Sequence, residues 1–226
     1  MTEFNYDYIF GDIEGYSSSG KYSGSEDALI QRVKSKYSTI VIPEYIIING
    51  INYKVEQIGR WDRAGVFPNS YQKSLRNNIT ELYIPNTVIS IGDSAFGGYV
   101  GLKNVTIPNS VISIGNFAFN GCTGLTSISI PSSVTSIGDH AFNGCTGITS
   151  ISIPSSVTSI GDYAFNECTG LTSISIPSSV TSIGQYAFYY LAQNSTIYVQ
   201  TNAVQSLLSG NYDKYNTTVV VDPSKF

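Results

Sequence analysis

Charge is scarce in this chain of 226 residues. Twelve Lys and Arg against sixteen Asp and Glu leave a formal net charge of −4, and charged residues are 12% of the total, about half of the ~25% usual in soluble proteins. No basic excess exists to neutralise phosphates, so no nucleic-acid partner is expected. One His and one Met occur; a metal centre or a His-based catalytic site would have to be assembled from almost nothing. Three Cys is an odd count and a poor disulfide framework. No run reaches the ~18 apolar residues of a membrane helix, so no membrane insertion is expected. The start, Met1-Thr-Glu-Phe-Asn-Tyr-Asp-Tyr, lacks the basic and apolar segments of a signal peptide. The expected location is the cell surface or medium if a signal was removed, and otherwise a virion or the cytoplasm.

What the chain does have is repetition. Hydrophobic residues are 42%, enough for a sizeable core, and they recur with a period of 23 residues. Leu125 to Gly147 reads LTSISIPSSVTSIGDHAFNGCTG, and Ile148 to Gly170 reads ITSISIPSSVTSIGDYAFNECTG. Copies begin also at Ile79, Leu102 and Leu171, so that five units fill residues 79–193. A degenerate first coil lies within 40–78 and carries an insert from Trp61 to Asn78. Residues 1–39 and 194–226 leave the pattern and are read as caps. The first contains a predicted helix, Glu26 to Lys34. The second reads as strand (Thr196 to Val199), helix (Asn202 to Ser209, with Thr201 as its cap) and strand (Thr218 to Val221).

Each unit reads as one turn of a solenoid. In Leu125-Thr-Ser-Ile128-Ser-Ile130 apolar residues alternate as in a half-buried strand. Pro131 ends that strand because it has no N–H for a ladder. Val134 and Ile137 supply a second inward segment. Gly138 is assigned a turn with positive φ. Asp139 is assigned the N-cap of a short helical or 3₁₀ turn through Ala141-Phe142, and Cys145 closes the coil as a small buried thiol. One coil alone cannot offset the entropy of ordering 23 residues at roughly 1–2 kcal/mol each. Stacked coils share their apolar faces, and the ends must be covered. The expected fold is a right-handed, leucine-rich-repeat-like stack of β-strand coils with short helical or 3₁₀ turns.

The pattern L-x-x-I-x-I-P-x-S-V-x-S-I-G-x-x-A-F-x-x-C resembles the BspA-like leucine-rich repeat family. The resemblance implies a surface-exposed bacterial or protist protein associated with adhesion to host matrix proteins or other cells. It also fits a module that phages acquire.

Three candidate contact surfaces follow. The strand residues facing away from the core form a ladder: Asn104 and Thr106, Ser127 and Ser129, Ser150 and Ser152, Ser173 and Ser175. On leucine-rich repeats this sheet face is the usual binding surface; equally, it reads as a solvated hydroxyl ladder. A second outward column, Ser94, Phe117, His140, Tyr163 and Tyr186, makes an aromatic stripe that either meets a protein or glycan or only covers the coil edge. The insert holds the single Trp and several cations, with Arg60, Trp61, Arg63 and Tyr71 as contact candidates.

Cys122, Cys145 and Cys168 form a linear column that does not converge on an ion. Asp93, Asp139 and Asp162 read as helix caps without need of calcium. Repetition supplies the same group again and again, whereas catalysis needs unlike groups that converge. No catalytic residue, metal or cofactor is therefore assigned. The expected function is non-enzymatic binding or adhesion to a protein or glycan on a cell surface. The alternative is contact with neighbouring subunits, as a structural or host-attachment part of a phage virion. An enzyme is the third and weakest reading.

Overall fold

The computed structural model describes residues 27–30, 38–48, 51–58, 77–213 and 216–226. Within them the 23-residue period becomes a parallel β-solenoid. Each Ile-flanked triplet of the repeat is a strand with one residue inward and two outward: β5 (Glu81–Tyr83), β7 (Asn104–Thr106), β9 (Ser127–Ser129) and β11 (Ser150–Ser152), with the longer β13 (Ser173–Ile176). The Ser-Ile pair after each Val forms a second strand per coil: β6 (Ser90–Ile91), β8 (Ser113–Ile114), β10 (Ser136–Ile137), β12 (Ser159–Ile160) and β14 (Ser182–Ile183). Paired strands advance by one repeat, as in Ser136↔Ser159 and Ser150↔Ser173, and the face of β5, β7, β9, β11 and β13 divides between β9 and β11 into two four-stranded sheets.

Upstream, β2 (Thr39–Val41) pairs with β5, and β4 (Ile51–Ile58) pairs with β6. The degenerate sequence thus joins the first four-stranded sheet and the long sheet of Ser-Ile strands. A hairpin strand β3 (Tyr45–Ile48) runs antiparallel to β4. The predicted helix over Glu26–Lys34 is overturned where it is described: Asp27–Ile30 is a strand, β1, parallel to β4, while Glu26 and residues 31–34 lie outside the described residues. The helix-forming residues there are overridden by an edge that offers backbone partners. At the other end, β15 (Ser195–Val199), a helix α1 (Asn202–Leu207) and β16 (Thr217–Val221) follow, and β15 and β16 extend the strand sheet. Thr201 caps α1 by accepting from the Val204 N–H at 3.4 Å.

The third side of each coil is a run of tight turns. Its backbone is also laddered: Phe117 N–H donates to Asp139 O, and Phe119 N–H to Ala141 O, both at 2.8 Å. Inside the resulting three-sided tube, Leu125, Ile128, Ile130, Val134, Ile137, Ala141, Phe142 and Cys145 are all buried, as are their equivalents in neighbouring coils. The Phe rings stack in one continuous row. Phe96–Phe119, Phe119–Phe142, Phe142–Phe165 and Phe165–Phe188 have centroids 5.4, 5.4, 5.3 and 5.6 Å apart.

Small polar residues satisfy the carbonyls this stacking would strand. The hydroxyls of Ser110, Ser133 and Ser156 each donate to a Val carbonyl of the preceding coil at 2.6 Å. The thiols of Cys122, Cys145 and Cys168 reach back to Phe96, Phe119 and Phe142 carbonyls at 3.1–3.2 Å. A chain so poor in charge is therefore not poor in polar bonds; these hydroxyls and thiols face the preceding coil.

Candidate functional site

Two of the expected local roles are different in the structure. Gly138 has no positive φ. Glycine is required there for space: a Cβ would lie 2.6 Å from the Gly115 carbonyl carbon and 2.7 Å from the Asn116 nitrogen. The left-handed position falls two residues later, on the stripe itself. Ser94, Phe117, His140, Tyr163 and Tyr186 have φ of 55, 57, 54, 55 and 55°. Asp139 also is no N-cap. Its Oδ1 accepts from the Asp162 N–H of the next coil at 2.8 Å, while its own N–H donates to Asn116 Oδ1 at 2.7 Å. The same bond joins Asp93 to Asn116 and Asp162 to Gln185, so the column is a ladder along the solenoid. The turn that follows has successive i→i+3 bonds, such as Asn143 N–H to His140 O, but the left-handed residue 140 prevents a helix.

The stripe is assembled as the sequence suggested, and its rings are in contact. Phe117 and His140 are parallel to within 7° with centroids 4.5 Å apart; His140 and Tyr163 are parallel to within 5° at 4.7 Å. Tyr163 and Tyr186 are tilted at 5.1 Å. The row continues into two residues the sequence reasoning missed: Tyr186 meets Tyr189 edge-on at 5.0 Å, and Tyr189 meets Tyr190 at 5.7 Å. The signal was present as Phe188-Tyr-Tyr190, where the coils at Phe119 and Phe142 have Phe-Asn-Gly and no other coil has an aromatic residue after its Phe. Phe117 is 38% exposed and Tyr190 59%, with His140, Tyr163 and Tyr189 half-buried.

Beside the stripe runs an open groove of about 480 Å³. Its lining includes Asp93, Asn116, Asp139 and Asp162, the glycine column and the hydroxyl column Ser113, Ser136, Ser159 and Ser182. No sequence signal of a groove existed, because the glycines looked like turn formers.

The sheet face is also where the alternation placed it. Asn104, Thr106, Ser127, Ser129, Ser150 and Ser152 are exposed, and Ser173 and Ser175 half-buried. Asn104 pairs with Ser127 across the ladder, and Ser127 Oγ donates to Asn104 Oδ1 at 3.2 Å. The hydroxyl rows are bounded by Tyr83, which is exposed, and by Tyr198 at the other end, 5.4 Å below the Lys225 ammonium. Arg60, Trp61, Arg63 and Tyr71 lie outside the described residues.

The three thiols are buried and none of them is in a disulfide. Burial, with smaller contributions from the thiols on either side, pushes Cys145 well above its ordinary range; burial pushes Cys168 up to about 12. Such groups are poor nucleophiles and poor ligands. Among the described residues no group of three or more His, Cys, Asp or Glu is placed to hold a metal, and no helix is long and apolar enough to cross a membrane.

Comparison with known proteins fits this architecture. None of the curated proteins is significantly similar in sequence to this chain. A leucine rich cell surface protein from Faecalibacterium prausnitzii is 30% identical, with a TM-score of 0.54 over 84% of this chain; the alignment spans 55% of that protein. A leucine-rich repeat protein from Eubacterium ventriosum is 25% identical, with a TM-score of 0.54 over 76% of this chain and 42% of its own. The T. pallidum leucine rich repeat protein shares the fold, with a TM-score of 0.61, 22% identity and coverage of 83% of this chain and 88% of that one. The family model of the BspA type leucine rich repeat region matches six copies over residues 69–195. The chain therefore belongs to the BspA type leucine-rich repeat family.

Proposed function

We propose that the chain is a non-enzymatic contact module of a cell-surface protein. It meets its partner with the turn face, along the ring row from Phe117 to Tyr186 and its extension at Tyr189 and Tyr190. The observation that carries this is the left-handed backbone under the row, with φ between 54 and 57° at five successive coils. An L-residue held in that region costs roughly 1–2 kcal/mol. A stacked ring pair returns about 0.5–1.5 kcal/mol. Stacking, together with about 0.4–1 kcal/mol of unfolded-chain entropy that glycine would add, only offsets that strain, so fold stability alone gives little reason for rings at these positions. Contact with another molecule does, and Tyr is the residue type most used for it.

The sheet face is the weaker surface, because it offers small hydroxyls and amides, some already paired with each other. The kinship with a protein described as a cell surface protein supports the location. Labelled chain is expected to bind cultured epithelial or bacterial cells. Replacing Phe117, Tyr163 and Tyr186 together with Ser, the residue that Ser94 already places in this backbone, should lower binding at least tenfold. Unchanged binding would remove the turn face from the account.

A further inference from the structure

We infer that the chain pairs with a second copy of itself through the free edge of β16, antiparallel, with Val219 of one copy opposite Val219 of the other. The inference does not depend on the turn face being the contact surface.

Three observations carry it. First, one side of β16 has its ladder groups open. The strand closes the order β11-β13-β15-β16, and among the described residues no strand pairs with its far side. The Asp222 N–H donates to Val199 O at 3.0 Å. That bond fixes the alternation along the parallel ladder: Thr218, Val220 and Asp222 turn their backbone groups to β15, and Thr217, Val219 and Val221 turn theirs away. The Thr217 N–H is taken by Asp213 O at 2.9 Å. The Thr217 carbonyl and both backbone groups of Val219 and Val221 point outward.

Second, nothing blunts this edge. Thr217-Thr-Val-Val-Val221 holds no charge, Gly or Pro, and it pairs with β15 residue by residue without a bulge. Other edges carry the usual protection. Strand β1 begins with Asp27 and shifts register between Ala28 and Leu29. Strand β14 is two residues long, and Asn211 Nδ2 donates to its Ile183 O at 3.4 Å. Strand β2 is three residues long, with Pro43 shortly after it. A regular, uncharged, β-branched edge is a template for a further strand.

Third, the edge is complementary to itself. A twofold axis at Val219 sets Val219 against Val219, and Val221 against Thr217 of the second copy. These are the residues with outward groups, and antiparallel hydrogen-bonded pairs need that match. The Val219 N–H of each copy donates to Val219 O of the other, and the Val221 N–H of each to Thr217 O of the other. Thr218 and Val220 become cross-strand neighbours, a β-branched pair that suits the pleat. The flanks agree in charge. The antiparallel sense brings the end that holds Asp213 beside the end that holds Lys225, whose ammonium lies 5.4 Å over the Tyr198 ring. A foreign strand has neither the matched register nor the matched flanks built in. One strand pair is a small interface, in the weak class below about 1,200 Å², so the dimer forms as concentration rises.

The test is sedimentation velocity of the full chain from low micromolar to near-millimolar concentration. The expected result is a monomer–dimer equilibrium that saturates at two copies. Val221→Pro removes an outward N–H and keeps the bonds to β15. It should weaken the dimer at least about tenfold, through one lost hydrogen bond on each copy. Cross-linking reads the register. Chain with Thr218→Cys mixed with chain with Val220→Cys should form an interchain disulfide on mild oxidation, since these positions face each other with Cβ atoms about 4.5–5.5 Å apart. Either variant alone should not, because like positions lie about 7–8 Å apart. The native thiols are buried and do not compete. Thr218 is exposed and Val220 half-buried, so the cross-link decides the matter even if Val221→Pro disturbs the fold. A chain that stays monomeric throughout would overturn the inference and leave the edge to another protein's strand. Association that grows past two copies would overturn it in favour of head-to-tail stacking. An undiminished dimer in folded Val221→Pro, or equal cross-linking in single and mixed samples, would overturn it as well.

Discussion

The rings of Phe119 and Phe142 lie 5.4 Å apart with their planes 2° from parallel, both wholly buried. This single pair contains the logic of the fold. A ring in one coil completes its apolar surroundings only through the identical ring of the next, so no coil is stable alone. Phe142→Ala should cost about 3–5 kcal/mol, as a large cavity in a core with no room to collapse. Urea unfolding of the variant measures it, and a loss under 1 kcal/mol would mean the row is not shared packing.

The side-chain ladder of the Asp column predicts a contrast at one position. Asp139→Asn keeps the bond to the Asp162 N–H, seen here at 2.8 Å, and should change stability by less than about 0.5 kcal/mol. Asp139→Ala leaves that N–H unpaired and should cost about 0.5–1.5 kcal/mol. Equal urea midpoints for the two variants would contradict the ladder.

Glu167 has φ of 57° in a column where the preceding coils carry Gly121 and Gly144 at 68 and 69°. Glu167→Gly removes left-handed strain of roughly 1–2 kcal/mol and adds about 0.4–1 kcal/mol of unfolded-chain entropy. The net expectation is a gain of about 0.5–1 kcal/mol. Gly138→Ala, by contrast, drives a Cβ to within 2.6 Å of backbone, and should destabilise by about 1–3 kcal/mol or more. Thermal unfolding of the two variants should move in opposite directions.

The thiols predict a pH effect. Burial raises Cys168 to about 12 and Cys145 in the same direction, above the 8.5 of an exposed thiol. Raised folded values mean that the stability is complete below the unfolded value and lost as pH climbs from about 9 towards 12. At pH 8 the native chain should resist a disulfide reagent, and all three thiols should react once urea unfolds it. Rapid reaction of the native protein would contradict the packing.

The solenoid was legible because its columns are covalently periodic: Ile128, Val134, Phe142 and Cys145 recur with neighbours that need them. What stacking does between coils was harder to read. A column of Asp and Asn fits a local cap as well as a bond to residue i+23, and only the second is present at Asp139. Gly138 reads alike whether it is needed for φ or for space. The strand Asp27–Ile30 was hidden because Ala28, Leu29 and Ile30 are compatible with a helix, and only the edge of β4 decides against it. Of the site, the stripe from Phe117 to Tyr186 could be read from spacing, while the groove beside it could not, since it arises from missing side chains.

His140 is the one histidine of the chain and sits between Phe117 and Tyr163 in the middle of the ring row. Its imidazole Hε1 resonance in proton NMR is therefore a single reporter of both the stack and the contact. It should lie upfield of free histidine, through the ring currents of its two neighbours, and should shift again when a partner binds. A signal at the free-histidine position, or one that stays still while binding takes place, would contradict the account.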